Sequence, residues 1–237
     1  MSLVSTTAAI LRERLPPAQF DRAKWLYQGL FRPKKHALEL DYWKTQAKRE
    51  GGRLKNNHYR RQMLEVSGRK PGFFNGKTVC DFGCGPRGSL AWLKGRAQCF
   101  GLDVLADHYV DAFGRNLVEH GMVYVRVTEG LIPLPDAFCD VMFTQNALDH
   151  VDDLPVMASE IVRVIKPGGH LFGAFNLYER RTVTEPQSLT PDLLDTVLLN
   201  QFEEESRSLV PKADASEALN DGPSPATLRF AGEKRAE

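Results

Sequence analysis

Cysteine is scarce in this chain, and its placement excludes a disulfide framework. The four cysteines, Cys80, Cys84, Cys99 and Cys139, fall in or beside apolar runs of strand length rather than in paired loop positions, so reduced, buried thiols are expected. No second Cys/His pair stands at zinc-site spacing from Cys80 and Cys84, and no metal is expected. No apolar stretch approaches the length of a membrane span. The N-terminus lacks a basic segment followed by an apolar stretch and a small-residue cleavage site, so no secretory signal is read and a cytoplasmic location is expected. Aromatic residues, at 9%, are sparse for a base-stacking platform, and no recognisable RNA-binding module or internal repeat accompanies them. The formal net charge is only +1.

That near balance conceals an asymmetry. Residues 1–76 hold 16 Lys and Arg against 6 Asp and Glu, whereas the remainder holds 15 against 24. The basic part divides from an acidic core at residues 76 and 77. Phe20, Ala23, Leu26 and Leu30 recur at helical spacing. Tyr42, Ala47 and then Tyr59, Met63 and Leu64 predict further helices, broken at Pro33 and at Gly51-Gly52. The reading is a helical cap over residues 1–76 and a core over 77–237. A solvated face paired with the acidic core explains the charge as well as a binding role does. The functional versions are an anionic small substrate such as a phosphorylated or nucleotide-linked sugar, an RNA, or an anionic membrane surface.

Within the core, Lys77 to Phe82 has the apolar, β-branched character of a central parallel strand and runs into Gly83, Gly85 and Gly88, where the backbone can turn tightly against a ligand. A helix is expected to start near Gly88. The spacing Gly83-x-Gly85-x-x-Gly88, with Asp103 closing the next strand, also fits a dinucleotide site. Asp81 helps to separate the two, because a carboxylate beside the turn repels a pyrophosphate and suits an ammonium or sulfonium.

Asp81-x-Gly83-x-Gly85 followed by Asp103 resembles the cofactor site of class I S-adenosylmethionine (SAM)-dependent methyltransferases. The second half agrees: Phe138 to Thr144 reads as a strand, Asn146-Ala147-Leu148-Asp149-His150 as the turn after it, and Leu154, Met157, Ile161, Val164 and Ile165 as a helix. Lys166-Pro167-Gly168-Gly169 is read as the stop of that helix, and His170 to Phe175 as another strand. The likeness covers residues 77–177. It implies an α/β fold, a doubly wound, mostly parallel seven-stranded sheet with helices on both faces and an N-terminal helical cap. Beyond it, Leu189 to Asn200 reads as a helix, Phe202 to Val210 and Thr227 to Lys234 as an end hairpin, and Lys212 to Pro225 as a polar link.

By the same resemblance the cofactor is SAM. Asp81, Gly83, Cys84 and Gly85 surround its amino acid part, Asp103 takes the ribose hydroxyls, Val104 lies against the adenine, and Asn146 contacts SAM or substrate. The family's acid after the third strand has no direct match in Val127-Thr128-Glu129-Gly130, so Glu129 is the candidate beside Thr128. His150 follows the fourth strand at the ligand-binding edge and is the candidate general base, against the alternative of a loop histidine that fixes the turn. Tyr59, Tyr178 and Arg180 are candidates to hold the acceptor. Tyr42, Trp43, Asn57, His58 and Arg60 are candidates for the roof.

The implied activity is methyl transfer to a small polar molecule, O-methylation of a sugar or glycan precursor above all, with N-methylation as a close variant. An RNA methyltransferase and a non-catalytic SAM-binding partner protein remain as other classes, with a nicotinamide-dependent oxidoreductase more distant.

Overall fold

A computed structural model describes residues 34–179, 181–211 and 226–236. The expected helix around Phe20 to Leu30, the break at Pro33, Arg180 and the polar link Lys212 to Pro225 lie outside them. One sheet contains β1 (Thr78–Phe82), β2 (Gln98–Asp103), β3 (Val123–Arg126), β4 (Cys139–Gln145), β5 (Ile165–Leu177), β6 (Phe202–Pro211) and β7 (Ala226–Lys234). Its order is β3-β2-β1-β4-β5-β7-β6. The first five strands in that order pair in parallel. β7 runs antiparallel to both neighbours. The chain therefore reverses its winding between β1 and β4, and the crevice beyond their C-terminal ends is where such sheets take ligands.

Side-chain alternation fixes the two faces. Cys80, Phe82, Met142, Leu171 and Phe175 point into one apolar cluster, and Val79, Val141, Phe143 and Phe172 into another, the period of two that a buried strand requires. On the first face lies α4 (Leu154–Val164), whose Leu154, Met157, Ala158, Ile161 and Val164 are buried. Each large apolar side chain buried there contributes about 1.5–3 kcal/mol. Asp153 caps α4 by accepting from the Val156 N–H at 3.4 Å, and α5 (Pro191–Val197) is capped by Thr190 in the same way. No helix among the described residues is long and apolar enough to cross a membrane.

The second face departs from expectation. No α-helix follows the glycine turn; residues 83–97 contain a single 3-10 turn, Ala91–Leu93. Only six residues separate Gly88 from Gly95, too few to recover the cost of nucleating a helix. That face is instead covered by α2 (Asn57–Ser67), whose Met63 and Val66 join Phe74, Leu90 and Leu93 against the sheet. The helix α1 (residues 34–49) ends before Gly51 and Gly52 and packs through Ala47 against α3 (Ala106–Glu119).

A second departure concerns Lys166-Pro167-Gly168-Gly169. The helix ends earlier, at Val164, and β5 starts at Ile165, so this stretch lies within the strand. Pro167 disfavours a helical Lys166, and Ile165 pairs with Cys139 before a register shift near Val141.

Part of the basic layer is paired with acidic groups. Arg69 meets Glu205, Arg53 meets Glu119, and Lys35 lies between Glu129 and Asp152.

Candidate active site

A cavity of about 800 Å³ opens at the C-terminal ends of β1, β2 and β4. Its floor is the glycine turn. Gly83 has φ +70°, and a Cβ there would stand 2.1 Å from the Ala147 Cβ; Gly85 has φ +56°, and a Cβ there would stand 2.8 Å from the Trp43 ring. A side chain at either position would be strained and would collide with the wall.

Asp103 is nearly fully buried and is held at both oxygens. Oδ2 accepts the Gly85 N–H at 3.0 Å and Oδ1 the Leu105 N–H at 2.9 Å. Burial pushes its pKa up to about 6, against the lowering effect of those two bonds and of Tyr109. Asp81 points to the other face of the sheet, where its carboxylate accepts from the Ser89 hydroxyl. It is not among the residues that line the cavity, and in this structure it ties the turn to Ser89. Burial pushes its pKa up to about 7.

The roof comes from α1. Lys35, Leu38, Glu39, Tyr42 and Trp43 all line the cavity, the i, i+3, i+4, i+7, i+8 pattern of one helical face. Trp43 leans on Gly85, and Arg87 lies over its ring at 5.5 Å. Arg87 also makes a two-pronged pair with Glu50, at 2.7 and 3.0 Å, which holds the Glu50 pKa at about 2. The roof is thereby tied to the glycine turn.

His150 lines the cavity, and its Nδ1 lies 3.1 Å from Glu39 Oε1. A carboxylate only accepts, so Nδ1 carries the proton and Nε2 holds the lone pair in the neutral ring. Burial disfavours the imidazolium, but the Glu39 hydrogen bond and the charges of Asp149, Glu39 and Glu185 outweigh it and raise the His150 pKa. Lys35 donates to the His150 carbonyl and to Asp152 at 3.2 Å. It lies 3.6 Å from Glu129, which also meets His36 at 3.4 Å.

Of the residues singled out by sequence, Tyr59, Gly83, Cys84, Gly85, Asp103, Val104, Glu129, Asn146 and His150 come together around the cavity, as do the roof residues Tyr42, Trp43 and His58. Asn57 and Arg60 lie instead in a separate surface groove. The Cys84 thiol is turned toward Gly101 and burial raises its pKa well above the usual thiol range, so only its backbone is offered. Asn146 takes φ +49°, a conformation asparagine tolerates better than most residues. Tyr178 is not brought to the site: with φ +60° its N–H donates to the Leu189 carbonyl at 3.0 Å, and its ring packs on the core. Arg180 lies outside the described residues. Lys35, Leu38, Glu39, Gln62, Tyr109, Gln145, Thr184 and Glu185 also line the cavity and were not anticipated.

A doubly wound sheet with a glycine cradle at its switch point and a buried acid closing the second strand defines a Rossmann-like site for an adenosyl ligand. Residues 80–173 match the family model described as a methyltransferase domain. Over these residues the chain is similar to a methyltransferase domain, and this similarity points to SAM as the cofactor. A ubiquinone biosynthesis O-methyltransferase of Sodalis glossinidius (strain morsitans) is 32% identical over 182 residues, 71% of this chain and 62% of that protein. A malonyl-acyl-carrier protein O-methyltransferase of Enterobacter lignolyticus (strain SCF1) is 32% identical over 94 residues, 39% of this chain and 36% of that protein. The chain thus spans from about a third to under two thirds of the curated relatives it matches. The methyltransferase in the complex with the Haloferax volcanii Trm112 methyltransferase activator has the same fold, with a TM-score of 0.60 at 19% identity, over 84% of this chain and 97% of that one.

Proposed function

We propose that the protein is a SAM-dependent O-methyltransferase of a small polar acceptor, a sugar or glycan precursor, acting in the cytoplasm. The observation that carries this reading is one cavity in which the glycine cradle and Asp103 stand together with a histidine oriented by a carboxylate. The residues fit the cofactor: Gly83 and Gly85 leave room for the amino acid portion, Asp103 presents a buried carboxylate to ribose hydroxyls, and Val104 offers an apolar surface to the base. When bound, SAM supplies an electrophilic methyl group on a sulfonium, already a good leaving group.

The chain's own residues then hold the acceptor in line and manage its proton. Glu39 fixes the His150 ring and leaves Nε2 as the base for a hydroxyl. Tyr42, His58 and Tyr59 supply aromatic lining on the acceptor side, and Gln62, Asn176 and Thr184 supply polar lining suited to hydroxyls. Burial raises the Tyr59 pKa, so its phenol is a neutral donor. The three O-methyltransferase relatives named for malonyl-acyl-carrier protein, tocopherol and ubiquinone biosynthesis support transfer to oxygen.

Calorimetric titration with SAM, S-adenosylhomocysteine and NAD tests the cofactor, followed by transfer of labelled methyl from SAM to a panel of sugars. Binding of SAM and its product without NAD is expected; failure to bind either overturns the reading. His150→Ala is expected to reduce turnover far more than affinity for S-adenosylhomocysteine. Equal loss of both would place His150 in the cofactor site instead.

A further inference from the structure

Asp149 is buried, at 3% exposure, and neither of its carboxylate oxygens has a hydrogen-bond partner. A buried carboxyl group with no side-chain partner is unfavourable in its ionised form, and a bound cation is one partner that would hold it ionised. Two further ligand atoms stand beside it: Asp149, His150 and Glu185 each offer one within 4.8 Å of the others. His150 Nε2 is 3.9 Å from Glu185 Oε1, whereas atoms bound to one cation at about 2.1 Å lie roughly 3.0–3.5 Å apart, so a small side-chain adjustment closes the set.

The surroundings hold this set in place. His150 is engaged through Nδ1 by Glu39, the outer carboxylate that orients metal-binding imidazoles and sets their tautomer. The second Glu185 oxygen is 3.4 Å from the Thr182 hydroxyl, and the Glu185 N–H donates to the same hydroxyl at 2.9 Å. Gln187 ties that loop to the turn carrying Asp149: its N–H donates to the Asp149 carbonyl at 3.1 Å and its amide to the Val151 carbonyl at 3.0 Å.

We infer that Asp149, His150 and Glu185 form a divalent-cation site at the edge of the cavity. Two carboxylates and one imidazole suit a manganese-like ion, and three protein ligands leave positions open for an exchangeable one. His150 and Glu185 both line the cavity, so the open positions are available to an acceptor with two neighbouring oxygens, such as the vicinal diol of a sugar. The cation would stabilise the ionised form of a hydroxyl placed on it, with the proton released to solvent. In the cation-free site Nε2 takes the acceptor's proton; with the cation bound Nε2 is a ligand, and the hydroxyl ionises on the ion. This assignment of the acceptor rests on the methyltransferase reading; the cation site itself does not.

Titration of the full chain with Mn2+, followed by loss of the free-ion electron paramagnetic resonance signal, tests the site, with S-adenosylhomocysteine binding and thermal melts measured in parallel. One Mn2+ per chain is expected. Asp149→Asn and Glu185→Gln should each weaken it by at least about tenfold, while melting remains cooperative and S-adenosylhomocysteine affinity unchanged. No binding at millimolar Mn2+, or equal binding by folded variants and wild type, overturns the site. Mn2+ binding without S-adenosylhomocysteine binding sinks the methyltransferase reading and leaves the cation site standing.

Discussion

Asp81→Asn is expected to stabilise the protein, and to do so more at alkaline than at acidic pH. Burial is the chief cause of the rise of the Asp81 pKa from 3.8 to about 7; the Ser89 hydrogen bond opposes it and the Asp103 charge adds to it. The folded state therefore binds this proton more tightly than the unfolded chain does, and ionisation opposes folding. The penalty is small below pH 4, grows between about 4 and 7, and is constant above, reaching about 4 kcal/mol by linkage at pH 8 and about 1.5–2 kcal/mol at pH 5. Asparagine removes it and keeps an acceptor for the Ser89 hydroxyl, but buries an N–H group in need of a partner, at about 1–3 kcal/mol. The net gain at pH 8 is about 1–3 kcal/mol, a rise in melting temperature of roughly 2–12 °C for a chain of this size. At pH 5 the two effects nearly cancel. Thermal melts of both proteins at both pH values measure this directly. A gain independent of pH, or a loss at pH 8, refutes the assignment of Asp81 as a buried, destabilising carboxylate.

Affinity for S-adenosylhomocysteine should fall as pH drops below about 6, where Asp103 takes up its proton and ceases to be an anionic acceptor for ribose hydroxyls. The fall approaches, at most, about tenfold per pH unit. Asp103→Asn should bind more weakly and flatten the profile in calorimetry across pH 5–8; an unchanged pH dependence in that variant assigns the effect elsewhere. Gly83→Ala should be more disruptive than its size suggests, because φ +70° and the Ala147 Cβ at 2.1 Å combine backbone strain with overpacking. A loss of about 2–4 kcal/mol in urea unfolding is expected, and a variant as stable as the parent contradicts the turn geometry.

Much of the fold was legible because its strands are nearly continuous apolar runs and its turns carry glycine, which together mark a parallel sheet. The end hairpin was readable too, since Phe202 to Val210 and Thr227 to Lys234 have strand-like alternation. The helix expected near Gly88 failed because spacing was weighed without length. The cavity floor follows from local motifs, and its residues were found. On α1 the roof was read only from Tyr42 and Trp43, because Lys35 and Glu39 on the same helical face look like ordinary solvated charges until tertiary contact places them opposite Glu129 and His150. Asp81 shares the face of Val79, opposite Cys80 and Phe82, an alternation that the motif Asp81-x-Gly83-x-Gly85 does not by itself reveal. Cysteine spacing, on which the expectation of no metal rested, carries no information about the proximity of Asp149, His150 and Glu185, which only the fold creates.

The replacement of a helix after β1 by α2 also bears on how the chain is made. α2 precedes every strand among the described residues, yet the surface it covers includes Phe172 and Ala231, more than a hundred residues later. Because Phe172 and Ala231 belong to β5 and β7, α2 completes its packing only once the end hairpin has been made. Such distant pairing slows folding and prolongs exposure of apolar surface. Until then Met63, Val66 and Phe74 lack the strand surface that buries them in the finished fold.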